Sequence, residues 1–266
     1  MIFIDSLLYN GEKDMLLMRL MNYNDYVDKF IIIEGDKTFT NLPKKKLYID
    51  EIKLDKRFNM FLDKIEFIVY NVNTDNAWLN EKKSRGEIIN SNTFKSCSND
   101  SIILHSDCDE ILRKKTLIEI KNKKIIGKTF LLRNVMFSLK WEYPNLVHTS
   151  ITLSKEQILI DNDLQKLRLE FRANPKNHYN EEIGWHFSFV QPIKDIIRKI
   201  SSFSHQEMNR NEYNNKDYIK NEIIEKGNCI DFFTCDWNRG NVPQLKLNNI
   251  QDLPDNAYLI DYFCVL

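Results

Sequence analysis

Apolar and polar positions alternate along the N-terminal third of the chain in a βα rhythm. Ile2–Leu8 is a short apolar-rich run that reads as a strand. Glu12–Asn24 then places Met15, Leu16, Met18, Leu20 and Met21 at near-helical spacing, with acids in its first turn. Lys29–Glu34 (KFIIIE) is a continuous β-branched run, as expected of a strand covered on both faces. The pattern goes on to predict a helix over Asp50–Asp63, a strand at Ile65–Tyr70, a helix over Glu81–Phe94 and a strand at Ser101–His105. Four strands alternating with helices imply a mostly parallel, right-handed α/β sheet. In such sheets ligands bind beyond the carboxyl ends of the strands, so the loops after Leu8, Glu34, Tyr70 and His105 should converge on one site.

Past Asp109 the texture changes. Lys128–Arg133, Met136–Trp141 and Ile151–Leu153 read as strands of a smaller mixed layer, and Trp185–Val190 as one more. Ile193–Ser201 and Lys216–Lys226 read as helices, and Tyr258–Leu266 as a closing apolar segment. With no Gly/Ser-rich or Pro-rich linker and no fixed-period repeat, residues 1–112 and 113–266 are expected to be two halves fused around one cleft. At 266 residues the chain can hide roughly 70–75% of its unfolded surface.

Composition narrows the function. Lys plus Arg and Asp plus Glu both number 38, so there is no excess of base to neutralise a nucleic-acid backbone, and Lys44-Lys45-Lys46 reads as a solvated loop. No apolar run approaches the ~20 residues needed to span a bilayer. The start lacks a basic n-region and carries Asp5 within its apolar stretch, so a cytoplasmic protein is expected. The five cysteines form no C-x-x-C pair and suit reduced, mostly buried thiols.

The most informative segment is Ile102 to Ile111, a buried strand that runs into Asp107, Asp109 and Glu110. Crowded carboxylates repel, and a divalent cation among their oxygens would reverse the sign of that interaction. Mg²⁺ or Mn²⁺ binds through one or two carboxylates plus substrate phosphates, which suits a metal–nucleotide complex. Asp161-Asn162-Asp163 also follows an apolar run. It lies outside the βα repeat and reads as an N-cap for the periodic stretch Leu164–Phe171.

Several blocks occur in one order: Ile4-Asp5-Ser6-Leu7-Leu8 with Asn10–Leu20, Ile33–Thr40, Trp78–Arg85, Ser106–Ile111, Gly184-Trp185-His186-Phe187-Ser188 and Ser202–Glu207. In these the chain resembles glycosyltransferase family 17, whose animal members add a bisecting N-acetylglucosamine in β-1,4 linkage to mannose. The resemblance implies a GT-A-type fold, a UDP-GlcNAc donor, a glycan acceptor and an inverting transfer aided by Mn²⁺. By motif, Asp109 would be the principal metal ligand, and Asp107 would reach the metal through water or would meet the ribose. Glu110 would orient the sugar, or serve as a first-turn acid of the next helix.

Asp5, Glu34, Lys37, Thr38 and Arg85 join Asp107 as candidate contacts of the nucleotide; for Glu34 the competing role is capping, and for Arg85 an ion pair. His186 and His205 are candidate metal or phosphate partners, against the alternative of satisfied core or surface histidines. Trp185 would offer a platform for a sugar face, or fill the core. Inversion requires a base for the acceptor hydroxyl, and Glu207 and Glu182 are the carboxylates within reach of these motifs. Two other readings share the acidic strand end: a nucleotidyltransferase, and a glycan-binding module whose acids hold a structural cation.

Overall fold

The computed structural model describes residues 1–229, 232 and 244–264, apart from the side chains of Asn180 and Glu182. Its first four strands are β1 (Phe3–Leu8), β2 (Lys29–Gly35), β3 (Ile65–Tyr70) and β4 (Ile102–Asp107), all parallel, in the order β3-β2-β1-β4. The predominance of apolar residues in these strands has the expected cause. Phe3, Leu7, Phe30, Ile32 and Leu104 face a core shared with the helix α1 (Lys13–Tyr23), while Ile4, Ile31, Ile33 and Ile103 alternate into a second core on the opposite face.

The sheet then continues without a break through β5 (Glu110–Leu112), β6 (Lys128–Met136), β7 (Trp141–Ser154) and β8 (His178–Ser188), giving the order β3-β2-β1-β4-β7-β6-β8-β5; β9 (Lys246–Leu247) pairs with β7. The β4–β7, β7–β6 and β8–β5 pairs are antiparallel and β6–β8 is parallel. The fold is thus α/β as expected, and its mixed strands extend the parallel sheet instead of forming a second one.

The connection between β4 and β5 dictates the curvature. These strands stand four pairings apart, roughly 19 Å along a flat sheet, yet only Cys108 and Asp109 join them, and three residue steps reach only ~11 Å. The sheet therefore curls back on itself at this point. The segment from Asp107 to Glu110 is held inside the curl.

Several boundaries differ from the sequence pattern. The expected helix over Asp50–Asp63 is the helix α2 (Tyr48–Leu54) followed by a 3-10 run (Lys56–Lys64), because Asp55 is extended and caps the second piece through the Arg57 amide. The stretch read as Glu81–Phe94 begins earlier, with Asn76 capping α3 (Ala77–Gly86), and restarts where Ser91 caps α4 (Asn92–Ser96). Met136–Trp141 is not a strand: Phe137, with φ of 63°, starts the turn between β6 and the 14-residue β7.

The helices α5 (Lys114–Lys123) and α6 (Lys155–Asp161) lead to α7 (Leu164–Ala173), which Asp163 caps as anticipated. The helix α8 (Ile193–Ser202) follows β8. Cys108 and Cys229 are buried free thiols, while Cys264 is exposed; Cys235 and the last two residues of the closing segment lie outside the described residues. No described helix is long and apolar enough to cross a membrane.

Candidate active site

The carboxyl ends of β1, β2 and β4 open onto a cavity of about 640 Å³, closed on its far side by β6, β7, β8, α7 and α8. Tyr9 and Glu12 after β1, and Lys37 and Thr38 after β2, line it together with Arg85 of α3. Asp107, Asp109 and Glu110 line it as well, as do His186, Lys199 and His205. Sequence order thus places these groups on separate elements, and the curl brings them to one hollow.

The acids are not left to repel one another. Arg85 donates to Asp107 Oδ1 at 2.8 Å, and Arg168 of α7 reaches Asp107 Oδ2 with both terminal nitrogens at 3.1 Å. Arg168 also grips Glu110 Oε1, whose other oxygen accepts from Ser150 at 3.0 Å and from the Asp107 amide at 3.2 Å. Burial disfavours the Asp107 carboxylate, but Arg168 and Arg85 outweigh it and hold its pKa well below the usual range. Asp109 accepts from Lys199 Nζ at 2.8 Å; burial opposes its ionisation, Lys199 and His186 favour it, and the net shift is downward. Lys199 also pairs with Glu12 at 3.3 Å, and these two acids keep it protonated despite burial.

This arrangement corrects the sequence-based premise about the acids. Asp107, expected as a metal ligand, has guanidinium groups on both oxygens, so its charge is answered by arginine. Asp109 Oδ1 and His186 Nε2 stand 3.6 Å apart, and His186 Nδ1 is buried without a partner among the described residues. Among the described residues no three His, Cys, Asp or Glu side chains form a cage. The donor set fits a hard divalent cation held mainly by phosphate oxygens and water, with one or two protein ligands, and does not fit one held by protein alone.

Other candidates part company. Asp5 is fully buried in a bidentate pair with Arg19, at 2.6 and 2.7 Å, and does not face the cavity. Glu34 is equally buried; it accepts from the amides of Tyr48 and Ile49 at 2.9 and 2.8 Å and from Lys44 at 2.8 Å, so it caps α2 and does not meet a nucleotide. Trp185 points to the opposite face of β8 from His186, where its indole donates to the Asp252 carbonyl at 2.8 Å and Arg113 lies over its ring. It is core, not a sugar platform.

Lys37 and Thr38 remain on the cavity wall, bonded to Asn41 and Thr40. His205 lines the wall with its Nδ1 2.5 Å from Glu207 Oε1 and its ring edge-on to Trp78; Glu207 itself stands behind it. The side chain of Glu182 lies outside the described ones.

Sequence reading missed Glu12, Trp78, Lys199, Arg168 and Arg172. For the arginines a signal existed: Gln165, Arg168, Leu169 and Arg172 recur at i, i+3, i+4 and i+7, one helical face, and all line the cavity. For Lys199 none did, because its partners are distant in sequence.

The fold is of GT-A type, an α/β domain whose acidic strand end sits in the cleft beyond the parallel strands. The chain belongs to glycosyltransferase family 17, whose model matches residues 2–238. No curated protein matches it in sequence. Among solved structures it is similar to a 4-diphosphocytidyl-2C-methyl-D-erythritol synthase, at 8% identity and a TM-score of 0.36 over 61% of this chain and 78% of that one. It is also similar to S. aureus TarS, at 14% and 0.37 over 89% of this chain and 49% of that one, so it spans about half that protein's length. For TarS 1-349 the values are 12%, 0.36, 85% and 75%.

Proposed function

We propose that this glycosyltransferase is an inverting, metal-assisted enzyme that transfers N-acetylglucosamine from UDP-GlcNAc to a sugar hydroxyl, in the β-1,4 linkage to mannose that the resemblance implies. The observation that carries this reading is the grouping of Asp109, His186 and Lys199 in the cavity at the carboxyl end of the parallel strands. The nucleotide would lie over the loops after β1 and β2, beside Tyr9, Lys37 and Thr38. Asp109 and His186 would hold Mn²⁺ or Mg²⁺, which supplies positive charge to the departing diphosphate. Lys199 adds a fixed ammonium on the same side, in surroundings that favour its charged form.

Arg85 and Arg168 act on the protein itself. They fix Asp107 and Glu110, and with them the chain reversal that presents Asp109. Where Glu207 and Glu182 were the carboxylates expected for the base, the role here falls to a pair: the acceptor hydroxyl gives its proton to His205 Nε2, while Glu207 on Nδ1 orients the ring and balances the imidazolium. The acceptor oxygen then attacks the anomeric carbon on the face opposite the diphosphate, which inverts that centre.

A thermal-shift panel of nucleotide sugars with and without Mn²⁺ tests the reading, followed by product analysis. UDP-GlcNAc should stabilise the protein most, with a Mn²⁺-dependent increment absent in Asp109→Asn. His205→Ala should lower turnover by 10²-fold or more and leave the donor shift intact. Pyrophosphate release instead of UDP would favour a nucleotidyltransferase. Glycan binding without any response to nucleotide would favour a non-catalytic module.

A further inference from the structure

The far wall of the cavity carries residues whose buried polar atoms have no partner among the described residues. Asn134 on β6, Thr149 on β7 and Gln165 on α7 line the cavity, and the atoms left without a hydrogen bond are their buried Oδ1, Oγ1 and Oε1. Buried polar groups left unpaired cost stability, so three on one wall mark where a polar ligand completes them. They lie on the elements facing the donor loops, which is where an acceptor must sit.

One turn beyond Arg168 on the same helical face is Arg172. Arg168 is consumed by Asp107 and Glu110, whereas no described carboxylate forms a salt bridge with Arg172, whose side chain also lines the cavity. Partial burial and then the adjacent Arg168 disfavour its charge, Glu110 and Asp107 offset this only in part, and the guanidinium has no carboxylate of its own among the described residues. A hydrogen bond between His178 Nε2 and the Arg172 carbonyl fixes the helix end that carries it.

We propose that the acceptor is an anionic sugar, whose hydroxyls complete Asn134, Thr149 and Gln165 and whose carboxylate, phosphate or sulfate group is taken by Arg172. The planar guanidinium suits all three anions, because its paired N–H groups match two oxygens at once. This assignment rests on the glycosyltransferase reading for the identity of the ligand as an acceptor, but the subsite is observable without turnover.

The test uses matched mannosides: neutral, 6-phosphorylated, 6-sulfated and oxidised to the uronate. Their binding to the full chain is measured by calorimetry, and their KM at saturating UDP-GlcNAc. At least one anionic mannoside should bind roughly 10- to 100-fold more tightly than the neutral one, the range of a charge-assisted hydrogen bond. Arg172→Gln should erase that preference, Arg172→Lys should retain part of it, and neither should change the UDP-GlcNAc thermal shift.

Equal binding of neutral and anionic sugars overturns the proposal. So does a loss of the donor shift in Arg172→Gln, which would assign the guanidinium to the donor diphosphate. Arg172-dependent binding of an anionic mannoside in a protein with no donor response would uphold the subsite and refute the transferase mechanism.

Discussion

Replacing Arg168 with Leu tests how the acidic strand end is tolerated. The substitution removes the cation that contacts Glu110 and Asp107 together and the donor to the Thr149 carbonyl. Glu110 and Arg168 have side-chain exposures of 1% and 5%, so this half of the network behaves as a buried pair, and losing one partner should cost about 3–5 kcal/mol. Asp107 is 33% exposed and keeps Arg85, so it adds little to that figure. In a chain of this size the loss corresponds to a Tm lower by ~10 °C.

Removing both charges with Arg168→Leu/Glu110→Leu should cost less than Arg168→Leu alone, because no unpaired ion is left in the interior. The pH dependence has a definite sign. The Asp107 pKa is depressed in the folded protein, so its contribution is full above the unfolded value of about 3.9 and is lost as pH falls through the folded one. The gap between wild type and Arg168→Leu should therefore be widest near pH 7 and shrink only slightly, by the small Asp107 share, below about pH 4. Thermal unfolding followed by circular dichroism from pH 3 to 8 measures both effects. A Tm change under 2 °C at pH 7, or a double variant less stable than the single one, would refute the reasoning.

Two further substitutions separate scaffold from site. Glu34→Gln should cost about 1–2 kcal/mol by weakening the acceptors for Tyr48, Ile49 and Lys44, while the UDP-GlcNAc thermal shift stays at its wild-type size; a lost shift would return Glu34 to the nucleotide site. Gly184→Ala would put a Cβ 2.2 Å from the Ile111 carbonyl oxygen, across the β5–β8 pair. It should destabilise by about 1–3 kcal/mol and abolish slow amide exchange in β5, whereas unchanged protection there would mean that the backbone yields without cost.

The N-terminal strands and their parallel direction were legible in the sequence because apolar runs such as Phe30–Ile33 and Ile102–Leu104, alternating with helices, mark strands buried on both faces; the order of the strands was not legible. The cap at Asp163 was legible too, since an N-cap is a contact between near neighbours in sequence. Of the long strand β7 only Ile151–Leu153 was legible: polar Glu142, Asn145 and His148 together with Pro144 disguise the rest, and its partners, not its own pattern, make that part a strand.

The same division runs through the site. Sequence alone marked Asp107, Asp109 and Glu110, because three acids at the end of a buried strand need an electrostatic partner. Which partner each receives depends on charges at Arg85, Arg168, His186 and Lys199, which are separated from them by 22 to 90 positions or lie on other elements. Those meet the acids only because two linking residues force the sheet to curl. A sequence records that a charge must be balanced; the closure of the sheet decides what balances it.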